Sequence, residues 1–273
     1  MLTRTIPGTD ESIPVIGLGT YEVFDVAGSA AAIETRKEIV DLLVETGGSL
    51  VDSSPMYDRA EKVVGDIIEA SGNRNDLFLA TKVWTNGRSA GEAQMRRSAD
   101  MMNAVTIDLM QVHNLRDLDV HMTTIREWQN DGRIRYTGIT HYTASAHRAV
   151  ARAMEEYRPQ FIQINYSLGE REAGQQLLPL AQDLGIAVLI NRPFMAGRLF
   201  RAVRKRQLPG WAAAFAASWG QFFLKFIVGH PAVTCVIPAT SKPHHMADNL
   251  GAGFGPMPDD AIRQQMAAFW DSL

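Results

Sequence analysis

Four residues of this chain carry groups that together could move a proton at a reacting carbonyl: Asp52, Tyr57, Lys82 and His113. Asp52 ends the run SLVD, Tyr57 lies in the loop SSPMY just after it, Lys82 ends LFLATK, and His113 ends LMQVH. Adding hydride to a carbonyl leaves negative charge on oxygen, which calls for a proton donor. A free phenol ionises near pH ~10. A neighbouring ammonium favours the phenolate, so Lys82 is expected to lower the Tyr57 pKa and ease proton exchange near neutral pH. Asp52 would hold the lysine, and His113 would hydrogen-bond and orient the carbonyl oxygen. Each residue also has an ordinary role: a helix cap for Asp52, a packed aromatic for Tyr57, a structural imidazole for His113. Lys82 is harder to place that way, because a buried ammonium without a partner is strongly unfavourable. Their position at successive strand ends is what joins the four into one site.

The elements that must position them repeat as a β-prone run, a polar loop and an amphipathic stretch. The expected strands are Val15–Leu18, Ser49–Val51, Leu77–Thr81, Leu109–Val112, Tyr136–Thr140, Phe161–Ile164, Ala187–Ile190 and Val233–Ile237. The expected helices are Ala30–Thr46, Arg59–Ala70, Ala90–Met102, Met122–Asp131, Ala144–Tyr157, Gln175–Leu184, Trp211–Val228 and His245–Leu250. Eight such units predict an α/β fold with a parallel sheet under helices. Runs such as IAVLI are apolar on both faces, as in a (β/α)₈ TIM barrel. A doubly wound sheet fits less well, because the first turn, GLGTYE, lacks the third glycine of a G-x-G-x-x-G fingerprint. Pro7-Gly8 predicts an N-terminal β-hairpin ahead of the barrel, and Ile262, Met266, Phe269 and Trp270 have the spacing of an extra C-terminal helix. Residues 1–273 are therefore read as a single barrel domain. In such barrels the loops after the strands build the active site.

Composition sets the class of partner. With 46% hydrophobic and 21% charged residues, the chain has the make-up of an ordinary globular protein. A net charge of -3 offers no attraction to nucleic acid or an anionic membrane. The basic run Arg198 to Arg206 reads as a solvated face. The one cysteine, Cys235, sits in an apolar run that predicts a buried strand position. No stretch nears the ~20 apolar residues of a membrane helix, and the N-terminus lacks the core of a signal peptide, so a cytoplasmic protein is expected. His113 and His141 are the best-placed pair for a metal, but no acidic cluster joins them and Lys82 would repel a cation, so none is expected.

The segments VIGLGTYE, VDSSPMYDRAEKVVG, LATKVW, IDLMQVHN, GRIRYTGITHY, FIQINYS and VIPATSKPHHMADN resemble the aldo-keto reductase family across essentially the whole chain. The resemblance implies reduction of aldehydes or ketones, or the reverse, with NADPH as cofactor and NADH as the alternative. It implies Asp52, Tyr57, Lys82 and His113 as the catalytic group. It also implies cofactor contacts from Gly19, Thr20, Thr140, His141, Gln163, Asn191, Arg192, Pro193, Ile237, Thr240, Ser241, Lys242, His245, Asp248 and Asn249. Three departures stand out. Thr140-His141 replaces the usual Ser-Asn pair at the nicotinamide amide, LINRPF lacks the stacking tyrosine, and Ala239 and His245 replace two phosphate-gripping bases, leaving Lys242 to compensate. Tyr21, Met56 and Trp84, with His141, are expected to ring the substrate pocket. The partner is a small aldehyde or ketone, and the chain a monomer or weak homo-oligomer. A cofactor-binding sensor with little turnover is the alternative reading.

Overall fold

The computed structural model describes residues 1–273. Strands β1 (Thr3–Thr5) and β2 (Ser12–Pro14) pair antiparallel as the hairpin. Eight strands follow: β3 (Leu18–Gly19), β4 (Leu50–Asp52), β5 (Phe78–Val83), β6 (Ile107–His113), β7 (Ile134–Thr140), β8 (Phe161–Asn165), β9 (Ala187–Asn191) and β10 (Cys235–Val236). Each is hydrogen-bonded in parallel to the next, and bridges Ile16 to Val236 and Gly19 to Ala239 bring the first edge to the last. The seam is tight. A Cβ on Gly19 would lie 2.9 Å from the Ile237 carbonyl oxygen, so only glycine lets the two edges meet there.

Helices α1 (Ala30–Glu45), α2 (Ala60–Ser71), α3 (Arg88–Met101), α4 (Leu118–Asn130), α5 (His147–Tyr157) and α6 (Leu177–Leu184) connect successive strands. A short helix α7 (Arg198–Ala202) and then α8 (Trp219–Val228) lie between β9 and β10. Helix α9 (Pro243–Gly251) follows β10, and α10 (Asp260–Asp271) is the extra C-terminal helix.

Side chains alternate along a strand, so residues two apart share a face. Leu50, Phe78, Ala80, Leu109, Tyr136, Phe161, Ala187, Leu189, Cys235 and Ile237 form one buried cluster inside the barrel, joined by Ile6 and Ile13 of the hairpin. Their outward neighbours, such as Val51, Leu79, Met110, Ile162 and Val188, belong to the larger core shared with the helices. Moving two residues further along β4, β5, β6 and β8 from the inward apolar positions gives Asp52, Lys82, Gln111 and Gln163. The barrel is thus apolar through its body and polar at the carboxyl ends of its strands.

Four elements differ from expectation. The seam strands are shorter than Val15–Leu18 and Val233–Ile237, because each has a continuous partner on one side only and single bridges on the other. The stretch Trp211–Val228 is not one helix: Gly210–Ala214 is a 3₁₀ turn, and Ser218 starts α8 by accepting from the Gln221 N–H at 3.0 Å. Ala144–Ala146 is likewise 3₁₀, and α5 begins at His147. The basic run Arg198 to Arg206 opens with α7, where Leu199 and Val203 are buried and Arg198 and Arg201 are exposed.

Candidate active site

The ends of β4 and β5 bring Asp52 and Lys82 together, with side chains 3% and 0% exposed. Lys82 Nζ donates to Asp52 Oδ2 at 2.7 Å and to the Ser53 carbonyl at 2.6 Å. The other carboxylate oxygen accepts from Gln163 Nε2 at 2.8 Å and Gln111 Nε2 at 3.1 Å. The carboxylate is therefore fully partnered, as a buried charge must be. Burial pulls the Lys82 pKa down, but Asp52 and Tyr57 outweigh it and hold the value above that of a free lysine. Lys82 stays charged.

The ammonium lies 5.1 Å from the centroid of the Tyr57 ring. Here the electrostatics depart from expectation. Burial raises the Tyr57 pKa more than Lys82 lowers it, and Asp52 raises it further, so the net direction is upward. The phenol is neutral in this state, and Lys82 limits the rise rather than reversing it.

His113 ends β6 and is also buried. Burial first, then the charges of Lys82 and His141, lower its pKa to about 3, so the ring is neutral. Its Nδ1 lies 3.1 Å from Ser54 Oγ, which in turn accepts from the Met56 N–H at 3.2 Å. The Ser54 O–H can donate to Nδ1, and that arrangement puts the ring proton on Nε2. Ser54 and Gln111 were not expected from sequence. Both lie within two residues of a catalytic position, on its strand or loop, and that adjacency was the only signal.

At the carboxyl ends of the strands, His113, Thr140 and Gln163 stand in register on β6, β7 and β8. Thr140 Oγ1 donates to Gln163 Oε1 at 3.2 Å, and Asn191 Nδ2 reaches the same oxygen at 3.5 Å. Thr140 and Gln163 are thus part of the network that holds Asp52. Thr20 joins it from β3, donating to the Asp52 carbonyl at 3.0 Å, with Gly19 beside it. His141 Nδ1 accepts from the N–H groups of Tyr142 at 3.0 Å and Thr143 at 3.4 Å, so its proton also sits on Nε2. Burial and His147 lower its pKa. Pro193 is buried at the end of β9, while Arg192 is exposed at φ 51° with its guanidinium 5.7 Å from the Tyr142 ring.

The rim is apolar and open: Tyr21, Met56 and Tyr142 are 55%, 37% and 46% exposed. The Tyr21 ring stands 5.0 Å from that of Tyr57. Tyr142 was not among the expected rim residues. Trp84 is partly buried, with the Arg116 guanidinium 4.7 Å from its ring and its N–H bound by Gln94. Its position suits packing as well as pocket lining. No three His, Cys, Asp or Glu side chains converge to hold a metal ion.

Beyond β10, Thr240 Oγ1 accepts from the Lys242 N–H at 3.1 Å, and Pro243 opens α9 with no side-chain cap. Pro243 has no N–H, and His245 and Met246 donate theirs to the Lys242 carbonyl at 3.1 Å, so the His244 N–H is the one left in this turn for an anion, beside Ser241 and the exposed Lys242 and His245. The oxygens of Asp248 accept from Ser218 at 2.7 Å and Gln221 at 3.0 Å. It ties α8 to α9. Asn249 is buried behind it, and Ile237 faces the barrel interior.

The chain matches the aldo/keto reductase family over residues 15–268, and it belongs to that family. It is 29% identical over 202 residues to aldo-keto reductase YhdN of Bacillus subtilis, covering 67% of this chain and 59% of that protein. It is 26% identical over 251 residues to methylglyoxal reductase DkgB of Yersinia pestis, covering 88% of this chain and 86% of that one. An aldo-keto reductase from Klebsiella pneumoniae, solved in complex with NADPH, aligns with a TM-score of 0.83 at 25% identity, covering 99% of this chain and 96% of that one. The chain is an oxidoreductase on a (β/α)₈ barrel.

Proposed function

We propose that the barrel mouth reduces small aldehydes or ketones to alcohols, and runs the reverse, with NADPH as cofactor and Tyr57 as the acid and base. What carries the reading is the buried Lys82–Asp52 pair set against a neutral Tyr57 and a neutral His113. The residues present suit a nicotinamide dinucleotide: α9 offers an uncapped N-terminus beside Lys242, and the buried Asn191 Oδ1 lacks a partner. Gly19, Thr140, Gln163, Asn191, Arg192 and Pro193 would flank the nicotinamide. Thr240, Ser241, Lys242, His245 and Asn249 would meet the adenosine phosphate. With Lys242 as the near cation, NADPH is favoured, and NADH is the alternative.

When bound, the cofactor supplies hydride to the carbonyl carbon. The chain's own residues do the rest. His113 Nε2–H orients the carbonyl oxygen and stabilises the charge that develops on it. Tyr57 gives that oxygen its proton, and the resulting phenolate is stabilised by the Lys82 ammonium, which Asp52 fixes. The raised Tyr57 pKa suits the reducing direction at neutral pH, because the proton to be donated is in place.

A small carbonyl compound in the cytoplasm is the proposed substrate. The Yersinia pestis relative is named a methylglyoxal reductase, so 2-oxoaldehydes are the first compounds to assay. The test follows nicotinamide absorbance with an aldehyde panel, with NADPH and NADH in parallel, on wild-type and Tyr57→Phe protein. The expected result is turnover that falls about 10²- to 10⁴-fold in the variant, with cofactor affinity unchanged. Tight cofactor binding by the wild type without turnover of any aldehyde would overturn the reading.

A further inference from the structure

A second buried carboxylate lies close to the proton-transfer group: Glu61, 2% exposed, in the first turn of α2. Its two oxygens are held by hydroxyls from two different elements. Thr81 Oγ1 of β5 donates to Oε1 at 2.5 Å, and Ser98 Oγ of α3 donates to Oε2 at 3.1 Å. Both hydroxyls are buried. Burial raises the Glu61 pKa more than these two bonds, Lys82 and Arg97 lower it. Packing alone does not call for such a group, since an apolar residue would fill the same space without the desolvation penalty.

Its place in the chain shows what it connects. Glu61 lies four residues after Tyr57, and Thr81 immediately precedes Lys82. Side chains alternate along β5, so Thr81 faces the helices while Lys82 faces the barrel interior. On the α2 side, the Ala60 N–H donates to the Tyr57 carbonyl at 2.9 Å, which folds residues 57–61 into one turn. That turn contains Asp58 at φ 49°, a left-handed conformation that persists only where neighbouring contacts fix it. No side chain caps α2 at Arg59, so the helix start is not held by its own loop. The Glu61–Thr81 bond therefore closes a short ring. It runs from Tyr57 through the first turn of α2 to Glu61, Thr81 and Lys82, and back across the 5.1 Å between the ammonium and the phenol ring. We infer that Glu61 is a positioning residue for the reaction, fixing Tyr57 against Lys82 through its bond to Thr81. The inference rests on the role proposed above for Tyr57. The bond to Ser98 packs α3 on α2 and does not touch β5.

Three variants separate positioning from stability: Thr81→Val, Thr81→Ser and Ser98→Ala. Thr81→Val and Ser98→Ala each delete one donor to the same buried carboxylate, so denaturant melts should show similar destabilisation. Their kinetics should differ. Thr81→Val should lower kcat for aldehyde reduction about tenfold or more, with KM and NADP⁺ affinity within about twofold of wild type, since misplacing a catalytic group by ~1 Å can cost about 10²-fold. In oxidation of the alcohol, where Tyr57 accepts the proton, the pH of half-maximal rate should move upward. Lys82 lowers the phenol's pKa more than Asp52 and Tyr21 raise it, and the His113 ring, 6.2 Å away, is neutral, so distance from the ammonium acts in that direction. Thr81→Ser restores the hydroxyl and should restore both readouts. Ser98→Ala should keep the kcat and pH profile of wild type. If the stranded carboxylate keeps Thr81→Val from folding, the double variant Thr81→Val with Glu61→Met removes charge and tie together and should show the same loss of kcat. Equal kcat losses in Thr81→Val and Ser98→Ala, a wild-type pH profile in Thr81→Val, or wild-type kcat in the double variant overturns the inference and leaves the reductase reading standing. A wild type that turns over no aldehyde removes both.

Discussion

Replacing Lys82 by methionine keeps most of the side-chain volume and deletes the ammonium. The change strands a carboxylate whose side chain is 3% exposed, and leaves the Ser53 carbonyl without the donor 2.6 Å away. Breaking a buried pair by removing one partner destabilises by about 3–5 kcal/mol. The low end applies, because Gln111 and Gln163 still donate to Asp52 Oδ1. The expected loss is then about 3 kcal/mol, and at roughly 2–4 °C per kcal/mol for a chain of this size the midpoint should fall by about 6–12 °C. The discriminating protein is the double variant Lys82→Met with Asp52→Asn. Its amide oxygen can keep both glutamine donors while the charge disappears, so it should regain at least half of the lost stability. Its turnover should stay about 10²-fold or more below wild type, since Tyr57 has lost its neighbouring cation. Denaturant melts and aldehyde turnover on the three proteins measure both. A single variant losing under about 1 kcal/mol, or a double variant no more stable than the single, would refute the idea that a stranded buried charge sets the cost.

His113 provides a pH signature. Its folded pKa of about 3 lies below the ordinary histidine value, so the unfolded chain takes the proton first as pH falls. The histidine's contribution is fully present above about pH 6.5 and should erode below it by up to about 1.4 kcal/mol per pH unit. Urea titrations at pH 7, 6 and 5 should show that slope in wild type and a shallower one in His113→Gln; equal slopes would count against it. Ser54→Ala should lower kcat about tenfold with cofactor affinity unchanged, because the hydroxyl that sets the His113 tautomer is gone; an unaltered kcat would remove Ser54 from the site. Gly65→Ala in α2 should destabilise by about 2 kcal/mol or more, although alanine is favoured in an open helix by about 1 kcal/mol. Its Cβ would fall 1.9 Å from the Met101 carbonyl oxygen of α3, and a melt showing stabilisation would contradict that packing.

The barrel was legible because its strands obey a parity that sequence displays. Leu50 and Asp52, Ala80 and Lys82, and Leu109 and Gln111 are each two residues apart, so an apolar inward position predicts the face of the polar one that follows. The four candidate residues were picked out by their chemistry and by their places at or just after strand ends. What stayed hidden depends on partners distant in sequence. Asp248 has the motif position of a ligand contact, and its bonds to Ser218 and Gln221, set by where α8 begins, are not legible in that motif. The direction of the Tyr57 shift was misjudged for a related reason. Residue type shows the neighbouring lysine, but the depth of burial around the phenol decides the sign, and that depth comes from the closed ring of strands.

The same parity explains how a barrel with a dry interior holds a charged pair at all. Asp52 and Lys82 sit one inward step above the apolar cluster, and the glutamines that complete the carboxylate come from β6 and β8 rather than from neighbouring loops. Because these donors stand on strands, their positions are set by the sheet's register, and their hold on the Asp52 carboxylate does not depend on loop conformation. The loop after β4 carries Ser54 and Tyr57 themselves, while the side chains of Tyr21, Met56 and Tyr142 are exposed at the rim. Substrate choice can therefore change through rim residues without disturbing the proton-transfer group beneath them. Substitutions at Tyr21 or Met56 should accordingly redistribute KM across an aldehyde panel while leaving the pH dependence set by Tyr57 and His113 in place.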